Sequence, residues 1–472
     1  MKKNAVVYGV PLTDVMKRAI SVLSESLLDY AVAYPVCIPA DGMADTDTYR
    51  CFYIGTRENN AQIRAEFADA SPEEAAALSH PEGYAIRVHD DTVWIAGADA
   101  SGVLWGCVDF YSKYLVKNEF TYNDLYVCNP LAQALGDFAH ASAPDVAGRG
   151  IWTWGHVIYD YRGFLDHMVR LKMNTLIVWN DYVPVNAAEM IAYAHTCGIR
   201  VIWGFAWCWD TDCTRFSMDA LDAYGAEIFE KYEREYAHLG GDGIYFQSFT
   251  ELNTERIGDV LIAEAVTGFV NRTASRFFEK YPDLELQFGL HAESVRNRLE
   301  YIAQTDPRIR IVWENCGAFP FAYHPHEIGN FDATCAFVRD IAHLRGEDDC
   351  FGVVTKGLTK LDWLHFEHLG GSANIGVSSA YMKDDRVRRK HKIWKYVQAY
   401  WLTHAGYAQE MVRLMAEAKQ GELHITALVE DGMFEETIMY PVALYAEMLW
   451  DSHADLSVLM SDTALREDVV FA

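Results

Sequence analysis

From Arg149 onward the chain repeats one pattern: a short, apolar, β-rich run, then enough residues for an amphipathic helix, then the next run. The runs are 150–154 (GIWTW), 175–179 (TLIVW), 200–205 (RVIWGF), 243–246 (GIYF), 285–290 (ELQFGL), 309–313 (IRIVW), 351–355 (FGVVT) and 374–378 (NIGVS). Eight such runs, each with room for a helix behind it, fit a parallel sheet closed into a (β/α)8 TIM barrel. The helix signals agree: GFLDHMVRLK precedes the second run, and AAEMIAYAH precedes the third and stops before Gly198. A doubly wound open sheet would call for a GxGxxG turn after its first strand, and none is there.

The flanks read differently. Residues 1–140 mix short strands and helices and predict a small α/β domain. CFYIG at 51–55 reads as a strand. YAIRV at 84–88 and VWIA at 93–96 flank the turn-rich His89-Asp90-Asp91-Thr92 and predict a hairpin. A helix follows, N-capped by Asp99, with Val103, Leu104, Cys107, Val108, Tyr111 and Leu115 at helical spacing. The small, polar, proline-broken ASAPDVAGRG marks a boundary, so the barrel is expected over 148–395. Residues 396–472 read as a helical C-terminal segment, with apolar Val397, Trp401, Met411 and Met415 on one face. The fold class is therefore α/β.

Charge narrows the function. Asp plus Glu number 67 against 40 Lys plus Arg, a net charge of -27. So acidic a surface repels phosphate backbones and anionic lipid, which argues against nucleic-acid or membrane binding. The apolar stretch after Met1 is too short for a signal peptide and is broken by Pro11 and Asp14. The ten cysteines are scattered without CxxC pairs and read as reduced, buried thiols. A soluble, cytoplasmic protein is expected, with its oligomeric state, homo-oligomer included, left open.

In a barrel of this kind chemistry is built just past the C-terminal ends of the strands. In order, those positions offer Trp152, Trp154 and His156; Trp179, Asn180 and Asp181; Trp207, Trp209 and Asp210; Gln247, Thr250 and Glu251. Then come His291 and Glu293, Glu314 and Asn315, Lys356, and Tyr381. Aromatic residues are 13% of the chain, and much of the tryptophan falls here. A sugar presents an apolar C–H face to an aromatic platform and a rim of hydroxyls to polar partners, so the set points to a carbohydrate.

Glycoside hydrolysis requires two carboxylates, one protonated and one ionised. Glu251, in the apolar sequence FTEL, is the candidate acid, because desolvation raises a carboxyl's pKa. Glu314, directly after IVW, is the candidate base or nucleophile, with Glu293 and Asp181 in reserve. For each carboxylate the competing reading is structural: a capping or surface glutamate for Glu251, an ion pair for Glu314. The His324-Pro325-His326-Glu327 stretch looks like a metal pair but lies in a loop after the sixth strand, and a structural reading is favoured. Lys356 could instead serve a barrel aldolase as its Schiff-base amine, a less favoured reading. No Gly-rich phosphate loop follows the seventh or eighth run, so a phosphate site is not supported; no cofactor or metal is expected.

The stretch 84–115, with its hairpin and IAGADASGVLWGCVDFYSKYL, resembles the small domain that precedes the barrel in family 20 hexosaminidases and family 67 α-glucuronidases. GRGIW at 148–152 resembles the opening of the first barrel strand in the α-glucuronidases, and LKMNTL at 171–176 the lead-in to the second strand in both. The resemblance implies a glycosidase with its acid after the fourth strand, where Glu251 stands. Family 20 enzymes place an Asp before that Glu to hold the substrate's acetamido group; here the position is Thr250. Glu251 with Glu314 fits the α-glucuronidase arrangement better, whereas the acidic charge favours a neutral glycan over a glucuronide. The expectation is an exo-acting glycoside hydrolase on N-acetylhexosaminides or related short glycans. The alternatives are an α-glucuronidase-like hydrolase and a non-catalytic carbohydrate-binding barrel.

Overall fold

The structure is a computed structural model. It describes all residues except 1, 32–33, 43, 116–135, 155–157, 159, 180–181, 209–216, 250–254, 258, 292–296, 316–330, 347–348, 360–375, 377–379, 420–421 and 430–433. Two compact units are present, residues 1–144 with 195–198, and residues 145–194 with 199–472.

The first unit holds β1 (Lys3–Tyr8), β2 (Val36–Pro39), β3 (Tyr49–Thr56), β4 (Tyr84–His89), β5 (Thr92–Gly97) and β6 (Phe138–Ser142). They form one six-stranded sheet in the order β2-β1-β3-β5-β4-β6. The hairpin is where the turn residues put it: β4 and β5 pair antiparallel, and Asp90 and Asp91 both take positive φ, 49° and 61°. Asp and Asn tolerate that left-handed turn better than most residues. Asp99 caps the following helix, Ala100–Asp109, by accepting a hydrogen bond from the Gly102 amide at 2.8 Å.

The second unit is a closed barrel of eight parallel strands. These are β7 (Gly148–Trp154), β8 (Thr175–Trp179), β9 (Arg200–Gly204), β10 (Gly243–Gln247), β13 (Glu285–His291), β14 (Ile309–Glu314), β15 (Phe351–Leu358) and β16 (Leu423–Val429). A two-strand ribbon, β11 (Arg256–Ile257) with β12 (Val260–Leu261), lies between β10 and β13 in the chain. Seven strands fall where the sequence pattern puts them. The eighth does not.

The barrel closes through β16, whose His424–Ala427 pair with Gly148–Ile151 of β7 on one side and whose other edge pairs with β15. The expected strand at 374–378 lies outside the described residues except for Gly376, which is a turn. Between β15 and β16 runs a 39-residue helix, Ala380–Ala418. LHITALV is the better strand physically, seven consecutive buried residues rich in β-branched and aliphatic side chains. Part of the segment read as a helical tail thus belongs to the barrel wall. Helices Tyr440–Trp450 and Leu456–Leu465 then complete the C-terminal segment.

Inside the barrel, Trp152, Ile177, Trp179, Ile202, Tyr245, Val312, Val354 and Leu428 form one buried cluster drawn from seven strands. At the N-terminal end of the barrel, Arg310 Nε donates to Glu285 at 2.8 Å, and His424 Nε2 lies 2.7 Å from Glu422. That end of such barrels is the stability end. Of the cysteines described, Cys51, Cys107, Cys197, Cys208 and Cys335 are buried, Cys350 is half-buried and Cys37 is exposed, all as free thiols. No helix among the described residues is long and apolar enough to cross a membrane.

Candidate active site

Side chains alternate across a strand, so residues two apart on a barrel strand face the same way. Tyr245 lies in the interior cluster, which puts Gln247, the last residue of β10, on the inward parity one layer nearer the C-terminal mouth. The same step leads from Val312 to Glu314 on β14 and from Val354 to Lys356 on β15. Three stretches of wall, on β10, β14 and β15, therefore bring polar side chains to one level.

Glu314 is the hub of this layer, with no exposed surface. Its Oε2 lies 2.7 Å from the Lys356 ammonium, and its Oε1 accepts the Tyr245 hydroxyl at 2.5 Å and the Gln247 side-chain amide. Burial alone would push this carboxyl up. The adjacent Lys356 charge, the hydrogen bonds from Lys356 and Tyr245, and His291 together outweigh burial and hold it below the ordinary carboxylate value. His291, the last residue of β13, stands directly across from Glu314 in the sheet register. The Lys356 Nζ also sits 5.2 Å from the centre of the Trp152 ring, within cation–π range.

Asn315 extends the layer. Its side-chain oxygen accepts the Lys356 backbone N–H at 3.0 Å, and its backbone N–H donates to Val354 at 3.1 Å. Two amide atoms here, Gln247 Oε1 and Asn315 Nδ2, are buried without a hydrogen-bond partner among the described residues. Such orphans are uncommon in proteins and mark places where a water or ligand would be stabilised.

The tryptophans divide. Trp152 and Trp179 pack edge-on to Tyr245 at 5.8 and 5.9 Å, as part of the barrel interior. Trp207 instead stacks flat on Phe246 at 3.7 Å and on Phe277 of helix Ile262–Lys280 at 5.5 Å, with no exposed surface. Phe246 has the opposite parity to Tyr245, so this stack fills the layer between barrel and helices. A ring sealed there does not present a face to a sugar in this conformation. Tyr381 also differs from expectation: it is 71% exposed on the first turn of helix Ala380–Ala418, because the eighth strand comes only after that helix.

His156, Asn180, Asp181, Trp209, Asp210, Thr250, Glu251, Glu293, His324, His326 and Glu327 lie outside the described residues, and Trp154 is described by its backbone alone. Among the described residues no group of three or more His, Cys, Asp or Glu side chains is placed to hold a metal ion. The approach to Glu251 carries a backbone signature. Phe249, two residues past β10, has φ of 50°, and Cys208, past β9, has 67°. A bulky residue in the left-handed region costs about 1–2 kcal/mol, and such strain collects at functional sites.

Two residues of the site escaped the sequence reading. Tyr245 lies a layer below the strand end, outside the strand-end positions where barrel chemistry is expected. Gly289, in the middle of β13, makes room for it: a Cβ there would stand 2.2 Å from the Tyr245 hydroxyl oxygen. A lone glycine inside an otherwise apolar strand (ELQFGLH) was the available signal, since it marks a close approach.

No family model matches the chain, and no curated protein sequence matches it. Solved structures do share its fold. CpGH84B superposes with a TM-score of 0.57 at 11% identity, covering 98% of this chain and 70% of its own. A GH138 enzyme targeting pectin rhamnogalacturonan II gives 0.54 at 13%, covering 96% and 64%. BtGH115A, a GH115 4-O-methyl-α-glucuronidase with specificity for decorated arabinogalactans, gives 0.52 at 14%, covering 97% and 58%. The chain thus spans less than two thirds of the length of two of these three. At such identities the likeness is one of fold, and the fold these glycoside hydrolases share with this chain is a barrel of eight parallel strands with surrounding helices.

Proposed function

We propose that the chain is an exo-acting glycoside hydrolase that uses a carboxylate pair at the C-terminal mouth of its barrel. Glu314 is the ionised member, acting as base or nucleophile, and Glu251 is the general acid. The observation that carries this reading is Glu314 itself: a carboxylate removed from water yet kept ionised by Lys356, Tyr245 and Gln247. A group so held is suited to meeting positive charge developing at an anomeric carbon, and unsuited to donating a proton. The acid must then be another residue, and the strained backbone leading toward Glu251 supports its candidacy. Gln247, His291 and Asn315 bind sugar hydroxyls around the pair, with Glu293, Asn180 and Trp209 as further candidates from the sequence. The Lys356 ammonium is committed to Glu314, whereas Schiff-base chemistry needs a neutral amine, so the aldolase reading loses ground.

For the substrate we favour a neutral short glycan, an N-acetylhexosaminide in the first instance, given the net charge of -27. A glucuronide is the alternative, which the α-glucuronidase named among the fold neighbours keeps in view. The thiols and the acidic surface suit a cytoplasmic setting. A second reading, a carbohydrate-binding barrel without turnover, is favoured by one specific fact: Glu314 exposes no surface and already has three internal donors. A screen of aryl hexosaminides, glucuronides, galactosides and xylosides separates the two. Turnover by wild type that falls by orders of magnitude in Glu251→Gln supports the hydrolase. Sugar binding with no turnover of any glycoside supports the second reading.

A further inference from the structure

The two oxygens of Glu314 are held by unlike partners. Oε2 meets a charge, Lys356; Oε1 meets two neutral donors, Tyr245 and Gln247, both from β10. Of these neutral donors, Tyr245 is the more constrained. Its ring has no exposed surface and is wedged against Trp152 and Trp179. Its hydroxyl reaches across β13 to β14 only because position 289 carries no side chain. A tyrosine fixed at ring and tip leaves its hydrogen-bond partner little freedom to rotate.

We propose that Tyr245, admitted by Gly289, is a positioning residue that locks the Glu314 carboxylate in one orientation for the reaction. This rests on the reading of Glu314 as the ionised catalytic group. Fixing Oε1 leaves Oε2 facing Lys356, so the strand pair β10 and β13 sets the geometry while β15 supplies the charge. The groups facing Glu314 among the described residues are Tyr245 and Gln247 from β10, His291 from β13 and Lys356 from β15. Removing only the Tyr245 hydroxyl leaves Lys356 and His291 in place. A hydrogen bond to the charged form favours that form, so its loss makes Glu314 take up a proton at higher pH. The shift expected is about one to two pH units, the worth of one hydrogen bond to a charged group.

The test titrates the Glu314 carboxyl by NMR in protein carrying 13C-labelled glutamate, the resonance being assigned by its absence in Glu314→Gln. The pH dependence of kcat/KM on an aryl glycoside turned over by wild type is measured alongside. Tyr245→Phe is expected to move the titration and the acidic limb upward together, with kcat reduced more than KM changes. Gly289→Ala, which displaces the hydroxyl without deleting it, is expected to move both in the same direction. An unmoved Glu314 titration in Tyr245→Phe overturns the inference and leaves the hydrolase reading standing. A titration that moves while the acidic limb stays put overturns the catalytic role of Glu314, and with it the positioning role. If wild type turns over no aryl glycoside, the hydrolase reading fails by itself and the titration still decides whether Tyr245 governs Glu314.

Discussion

Lys356 Nζ and Glu314 Oε2 stand 2.7 Å apart inside the barrel, with the two side chains only 5% and 0% exposed. A buried pair gains little over apolar side chains of the same shape, but breaking it leaves one charge stranded. The pair is therefore better explained by what it does for Glu314 than by what it adds to stability.

Lys356→Met should cost about 3–5 kcal/mol at pH 7, the usual penalty for orphaning a buried charge. The pH dependence carries a definite sign. In wild type the Glu314 carboxyl is held low, so its contribution to stability is present above the unfolded-state value and is lost as pH falls through the folded one. Without Lys356 the carboxyl is pushed up and accepts a proton under mild acid. The stability gap between wild type and variant, measured by urea unfolding, should narrow from pH 7 to pH 5. A gap that stays constant would mean Lys356 does not govern the ionisation of Glu314.

Gly289→Ala places a methyl group 2.2 Å from the Tyr245 hydroxyl oxygen and 2.6 Å from the ring carbon that bears it. Overpacking of this kind costs about 1–3 kcal/mol, and the buried ring has little room to retreat. Chemical denaturation should find Gly289→Ala less stable than wild type by that amount. Full stability would show that the ring can move aside.

Trp207→Ala separates packing from recognition. The stack with Phe246 and Phe277 has no exposed face, so the loss should be about 3–5 kcal/mol in denaturant unfolding. The affinity of the folded variant for any sugar bound by wild type should be unchanged. A selective loss of sugar affinity would return Trp207 to the binding platform.

A chain ending at residue 395 would have kept the whole barrel had the eighth strand been at 374–378. It lacks β16, and β7 and β15 would then face each other across a gap with unpaired edges. Circular dichroism should show the barrel's melting transition lost in this truncation, leaving at most one from the first unit. A cooperative melt like that of the full chain would mean the barrel closes without Leu423–Val429.

The contrast between those two strands shows how far the sequence carried the fold. Seven strands were legible because each apolar run is followed by a connection of ordinary length, and length and periodicity together identify a repeating unit. The last connection breaks that rhythm with a 39-residue helix, and LHITALV was hidden behind what looked like a helical tail. The candidate site was legible where it depends on one residue at a strand end: Gln247, His291, Glu314 and Lys356 all fall at one level of the wall. It was not legible where it depends on three-dimensional fit. That Tyr245 rises past Gly289 to reach Glu314 is a relation among three strands, and that Trp207 faces the helices is a matter of parity.

The role of Glu314 is most directly tested by turnover in Glu314→Gln, assayed on the aryl glycoside that wild type cleaves best, after a thermal melt confirms that the variant is folded. The expected result is a fall in kcat of at least about 10²–10⁴-fold, the range typical of losing a positioned acid–base group. A folded Glu314→Gln protein that turns over at near wild-type rate would contradict the assignment.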